Sequence, residues 1–499
     1  MQTDFQEFAA NHIHKYPDMV SRVHSYLETF CQSTLPKILF INHDLGGGVK
    51  THLNELINLY REQAEFIVLN PIKDNTYVLS FDQLDECVPF HLPDQYQDLL
   101  YLLNLFNLSK IHFHHLINLH PSLRNLGEDL NVAMDFTIHD FYLVNGNPTL
   151  TDKRGFFCAA PETRDELCAE VCPLPCDGNP GDWRNEVRQF LFKCQHIIAP
   201  SVSTAEIVQS YFPEISFTVA YHPDTEFTEY PSPSNWEPEK KTLKVLTLGA
   251  ISQVKGASLL EETAIIAHKK GTELEFHILG YPYRPLHASI NTHGPYQSTD
   301  LARKLEEIKP DLVWLPSLWP ETYSYTLSES LLAGIPVVVP DIGAFPERVS
   351  GRPSALVYPW NSSPEQMFDI FSKLRTEGPP ESASQFNNQI ADIVSHHFYE
   401  NQYLTDLAPN TNPTTKYLSL EWLASSLDLE MTNRKQVSYS ERFLLKIFHF
   451  RNTLAGRFLS RMIPIQFQRK IKIMLSHKPI HELTNKKLSI TCERDHCQL

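Results

Sequence analysis

The strongest constraint in this sequence is a rhythm that runs, stops and starts again. From Lys37, "KILFIN", "EFIVLN", "KIHFHH", "VAMDFTIHD" and "HIIAPS" read as strands separated by helix-like segments. In "VKTHLNELINLYREQ", Val49, Leu53, Leu56 and Ile57 recur at helical spacing. Then "YPSPSNWEPEK", residues 230–240, intervenes with prolines that disfavour helix and central strand alike. After it "LKVLTLGA", "LEFHILG", "DLVWLPS" and "IPVVVPD" alternate with helices once more. The expectation is two successive βα domains, each a parallel sheet covered by helices. Ligands in such sheets bind outside the carboxyl ends of the strands.

The resulting division has a helical leader over 1–36 and an N-terminal domain over 37–229. The linker 230–240 leads to a second domain over 241–375. Residues 376–433 read as helices and Pro/Asn-rich loops returning to the body, and 434–499 as a basic tail. The length, 499 residues, exceeds one ordinary core.

A formal net charge of −16 argues against a nucleic-acid binder. The start "MQTDFQEFAANHIHKYPDMV" lacks the basic-then-apolar order of a secretory signal. No apolar run approaches the roughly 18 to 20 residues that span a bilayer. Nine cysteines, an odd number without an export signal, read as mostly reduced thiols. A cytoplasmic location is expected.

"INHDLGGGVKTH", residues 41–52, sets Gly46, Gly47 and Gly48 where a strand turns into a helix. Neither the dinucleotide pattern G-x-G-x-x-G nor the P-loop G-x-x-x-x-G-K-[ST] fits. What remains is a glycine turn able to bring bare backbone N–H groups against an anion, or a tight turn with no ligand.

A second signal is "PETYSYTLSESLLAGIPVVVPDIGA", residues 320–344. Ser324 suits an N-cap, and Gly334 with Pro336 supplies a stop, so a helix is expected from about Tyr325 to Ala333. Glu321 sits at the mouth of that helix and Glu329 projects from its body. The amides of Tyr325 and Thr326 would point at an anion between them. The set suits a nucleotide sugar: one carboxylate for the ribose hydroxyls, amides for the diphosphate, one carboxylate for the sugar.

With these motifs the sequence resembles the retaining glycosyltransferases of the GT-B fold, the family 4 group that includes many bacterial polysaccharide enzymes. The resemblance runs from about Lys37 to Tyr403 and is carried by "LGGGVKTH", "FTIHDFY", "HIIAPS", "LGAISQVKG", "HGPY" and "PETYSYTLSESLLAGIPVV". It implies two Rossmann-like domains facing a central cleft, and transfer of a sugar from a nucleotide-sugar donor to a glycan or lipid-linked glycan. By this likeness Glu329 binds the donor ribose, Glu321 and His139 meet the donor sugar, and Lys255 neutralises the leaving diphosphate. Gly46, Gly47 and Gly48 approach the diphosphate or acceptor from the N-terminal domain, and Ser324, Tyr325 and Thr326 form the nucleotide-sugar mouth.

Two positions depart from the family pattern. Ala250 stands where an arginine is usual, with Arg284 and Arg348 as substitutes by sequence proximity, and Ser324 replaces a glycine. No D-x-D pattern lies in a suitable loop, so no divalent metal is expected at the diphosphate and no cofactor beyond the substrate. The rival readings are a sugar-nucleotide epimerase, a phosphorylase, or a non-catalytic subunit beside an active partner.

Three further features have a bland reading beside a functional one. His112 and His114 share a strand face but lack a third ligand for a metal. Cys158, Cys168, Cys172 and Cys176 could hold a structural metal, yet lack C-x-x-C pairs, and separate thiols are expected. The tail interleaves Arg442, Lys446, Arg451, Arg457, Arg461, Arg469, Lys470 and Lys472 with large apolar residues. Such a helix suits an anionic membrane surface, a peripheral contact; the alternative packs its apolar face on the body.

Overall fold

A computed structural model describes residues 17–43, 46–73, 75–172, 178–223, 230–233, 236, 241–386, 394–395, 397–405, 407, 418–419, 422–423, 439–451, 456, 459 and 462–476. Two Rossmann-like sheets organise them, as expected. The first has eight strands in the order β4-β3-β2-β1-β5-β6-β7-β8. They are β1 Lys37–Ile41, β2 Glu65–Lys73, β3 Thr76–Phe81, β4 Leu84–His91, β5 Lys110–Phe113, β6 Met134–Thr137, β7 Cys194–Ala199 and β8 Thr218–Val219. The second has six, β11-β10-β9-β12-β13-β14. These are β9 Leu243–Ile251, β10 Leu274–Pro282, β11 Ile290–Thr292, β12 Leu312–Trp314, β13 Val337–Pro340 and β14 Ala355–Tyr358.

The second sheet is parallel throughout. The first is not, which corrects the expectation of a purely parallel sheet. Strands β2, β3 and β4 form an antiparallel meander at one edge. The short turn after Phe81 permits it, because antiparallel strands need no crossover helix.

Strands β1, β5 and β6 are buried at every position, which explains their continuous apolar character, since parallel strands are covered on both faces. The helix Pro17–Gln32 buries Val20, Val23, Leu27 and Phe30 in the main core of the first domain, so this part of the leader belongs to that body. Returning chain joins the same domain: Val394 bridges to Val219, and Phe398, Tyr399 and Tyr403 pack with Phe40, Leu56 and Tyr60. Within this core Lys110 Nζ pairs with Asp135 at 2.7 Å, and both are buried.

The two domains touch through polar contacts close to the glycine turn and the Glu321 loop. Tyr325 donates its hydroxyl to Glu55 at 2.6 Å, and Tyr323 donates to the carbonyl of His222 at 3.1 Å. Thr322 Oγ1 donates to the carbonyl of His139 at 2.7 Å, and the amides of Val202 and Ser203 donate to the buried carboxyl of Glu347. The described tail residues form helices over Tyr439–Arg451 and Ile465–Leu475. No helix among the described residues is long and apolar enough to cross a membrane.

Candidate active site

The glycine turn and the second motif meet. Gly46 and Gly47 adopt φ values of 72° and 77°, a region that side chains rarely enter, so this turn needs glycine for its backbone shape. A Cβ at Gly48 would lie 3.5 Å from the Tyr325 ring, so the two domains approach closely here. From this turn the helix Gly48–Tyr60 runs back over the sheet with Val49, Leu53 and Leu56 buried, as their spacing requires.

On the other side the expected helix is present over Tyr325–Leu332, followed by β13. Its cap differs from expectation. Ser324 occupies the N-cap position, but its side chain makes no capping bond and instead lies 3.2 Å from Thr326 Oγ1. Its backbone sits at φ 75°, ψ 88°, a left-handed conformation that suits glycine. The position thus asks for glycine and carries serine.

The charged groups converge on this mouth. Glu321 is 6% exposed, and Lys255 Nζ, from the loop between β9 and the helix Ala257–Lys270, stands 3.5 Å from Glu321 Oε1. A Cβ at Gly249, at the end of β9, would lie 3.0 Å from Thr326 Cγ2, so the loop holding Lys255 starts against the first turn of the Tyr325 helix. Glu329 accepts hydrogen bonds from Tyr296 Oη and from Ser298 Oγ at 3.3 Å. Burial raises its pKa above the ordinary glutamate value, and the two hydroxyl donors work against that rise. Tyr296 and Ser298 were not identified from the sequence as site residues, although Tyr296 ends the "HGPY" motif.

Both proposed arginine substitutes are engaged by protein partners. Arg284 pairs with Glu261, and Arg348 donates to the carbonyls of Tyr323 and Ser324 at 2.9 and 3.0 Å. Arg348 also lies over the Tyr323 ring and bonds Tyr230 and Ser328. It braces the helix mouth.

His139 follows β6 and is held from two directions, by Thr322 at its carbonyl and by His114 Nδ1 at 3.2 Å from its Nε2. Burial, reinforced by neighbouring imidazoles, keeps its pKa far below the usual histidine value, so the ring is neutral. His52 and His222 lie beside it in the same neutral state. His112 is fully engaged elsewhere, 2.7 Å from Tyr403 Oη and 2.8 Å from Thr137 Oγ1, so it is not a ligand with His114.

Cys158 and Cys168 are buried and unoxidised, and Cys176 lies outside the described residues. Among the described residues, no group suited to a metal contains a cysteine.

Residues 242–376 match the family described as glycosyl transferases group 1. No curated protein matches the chain. Among solved structures, it is similar to HepE of Anabaena in complex with UDP and glucose. That likeness has 14% identity and a TM-score of 0.43, covering 68% of this chain and 90% of that one. A glycosyltransferase of Rickettsia africae ESF-5 is similar at 14% identity and TM-score 0.45, covering 84% and 100%. Sucrose-phosphate synthase of Thermosynechococcus elongatus is similar at 13% and 0.41, covering 69% and 92%. The chain thus carries a glycosyl transferases group 1 domain, and Lys255, Glu321, Tyr296 and Glu329 all fall within it.

Proposed function

We propose that the chain is a retaining glycosyltransferase that moves a sugar from a nucleotide-sugar donor to a glycan or lipid-linked glycan in surface polysaccharide synthesis. The observation that carries this reading is the pairing of Lys255 with Glu321 at the mouth of the helix that bears Glu329. The Gly46–Gly48 turn closes the same space from the opposite domain.

Charge gives the mechanism. Breaking the anomeric bond leaves positive charge on the sugar and negative charge on the nucleoside diphosphate. Lys255 and the amides of Tyr325 and Thr326 act on the negative side, already oriented before reaction. Glu321 and the neutral His139 ring face the sugar, where one accepts and the other can accept or donate hydrogen bonds. Glu329, with Tyr296 beside it, takes the ribose hydroxyls. No divalent metal enters at the diphosphate in this scheme.

Purified chain incubated with nucleotide sugars and candidate acceptors tests the reading. Release of nucleoside diphosphate with product of unchanged anomeric configuration is expected. Inverted product would remove the retaining assignment. Donor binding without transfer or hydrolysis would favour the non-catalytic subunit, which Ala250 alone recommends.

The tail supports a membrane contact in part. Arg451 is not lipid-facing, because its guanidinium donates to the carbonyls of Pro282 and Tyr283 at 3.0 and 3.3 Å. Leu444, Leu445 and Phe448 are buried as well. The helix Ile465–Leu475 differs: Phe467, Lys470 and Met474 follow i, i+3, i+7 spacing along one exposed face, beside exposed Met462 and Ile463. That face matches an anionic lipid surface.

A further inference from the structure

We propose that His52, His139 and His222 bind one divalent transition-metal ion of the zinc class in the first domain, beneath Tyr323 and Tyr325. The three residues come from separate places: the helix after the glycine turn, the loop after β6 and the loop after β8. Their ligand nitrogens all lie within 4.8 Å of one another. A tetrahedral ion with bonds of about 2.0–2.1 Å needs its nitrogens about 3.3 Å apart, so binding draws the set together by up to about 1.5 Å. The His52 and His222 rings stack, with centroids 3.9 Å apart, so binding must swing at least one of them out of the stack.

The polar accounting around these rings is incomplete. His52 is fully buried, yet both its ring nitrogens lack a hydrogen-bond partner, as do Nδ1 of His222 and Nε2 of His114. Buried polar atoms are rarely left this way, and four in one neighbourhood indicate a missing bound species. The rings of Tyr323 and Tyr325 border the cluster, 4.6 and 5.7 Å from His222.

The chemistry selects the ion. Three neutral imidazoles without a carboxylate suit zinc, copper or nickel and are unlike the oxygen ligands of magnesium or calcium. The contact from His114 Nδ1 to His139 Nε2 resembles the outer hydrogen bond that orients metal-bound imidazoles. Three protein ligands leave a fourth position for water. The absence of a metal expected at the diphosphate is a separate matter, because that site would use phosphate oxygens. The proposal does not depend on sugar transfer; with Nε2 of His139 on His114, the ion takes the one ring nitrogen that the proposed donor site would otherwise use, so metal binding and not activity is the readout.

The test uses the full chain, stripped with a chelator and titrated with Zn2+ against a chromophoric competitor. X-ray absorption at the zinc edge follows on the loaded wild-type protein. The expected result is one zinc per chain with imidazole scattering and no sulfur. His52→Ala and His222→Ala should each weaken binding roughly a hundredfold or more, since even outer partners are worth ten- to a hundredfold. Cys158→Ser and Cys168→Ser should bind zinc as the wild type does. No zinc bound by folded wild type, sulfur in the coordination shell, or unchanged affinity in the histidine variants overturns the proposal. Should the variants fail to fold, the wild-type stoichiometry and absorption spectrum decide alone.

Discussion

Lys255 Nζ lies 3.5 Å from Glu321 Oε1, so the cation assigned to the leaving diphosphate rests against the carboxylate assigned to the sugar. In the proposed mechanism the donor draws the lysine to the diphosphate, where negative charge develops. Lys255→Ala is expected to slow turnover about a hundred- to thousandfold, toward the severe end because Ala250 supplies no second cation. Steady-state kinetics on folded variant checks this. Near-normal turnover would remove the lysine from the mechanism.

Ser324→Gly is expected to stabilise the protein by about 1 kcal/mol. The serine holds a left-handed backbone that costs of order 1–3 kcal/mol in a side-chain-bearing residue, and glycine returns part of that as unfolded-state entropy. The lost hydroxyl contact to Thr326 is not a cap and adds little against this. Denaturant midpoints of the two proteins measure the difference. A variant less stable than wild type would mean that the hydroxyl contact outweighs the backbone.

Glu347 gives a pH prediction. Burial pushes its pKa up to about 8, although the amides of Val202 and Ser203 oppose the shift. A folded pKa raised above the unfolded value means the native state binds the extra proton. The stabilisation is complete below the unfolded value of about 4.5 and is lost as pH rises through about 8. Glu347→Gln stays neutral and still accepts an amide hydrogen bond. The variant should therefore gain on wild type as pH rises from about 5 to about 9, by on the order of a few kcal/mol. Parallel unfolding curves across that range would refute the assignment.

Much of this architecture was legible because it is local. Glu321, Tyr325 and Glu329 fall on one loop and helix, so spacing and the glycine-proline stop placed them. Strand positions followed from apolar runs bounded by polar turns. Contacts between distant segments were not legible: nothing near Glu329 in sequence names Tyr296, 33 residues away. The convergence of His52, His139 and His222 depends on strand order, which periodicity does not encode. Ser324 misled because serine is a common N-cap, and its backbone angle is fixed by the fold around it. The β3–β4 pair was missed because both faces of these strands are largely buried, which weakens the alternation that marks an antiparallel strand.

The tail prediction now separates two helices. Replacing Phe467 and Met474 by serine should lower binding to anionic vesicles while leaving turnover on a soluble acceptor nearly intact. Binding by the wild type should weaken with salt, because surface charges are screened. Co-sedimentation with anionic and neutral vesicles checks both points. Equal sedimentation of the two proteins would assign this face to another role.

The central claim is that a nucleotide sugar binds at the helix mouth with its ribose on Glu329. Calorimetric titration of wild type and folded Glu329→Ala with nucleoside diphosphates and nucleotide sugars tests it most directly. The account predicts saturable binding to wild type and a loss of roughly 1.5 to 3 kcal/mol in the variant, the scale of hydrogen bonds to a charged group. Equal affinity in the two proteins, or no binding to either, would contradict it.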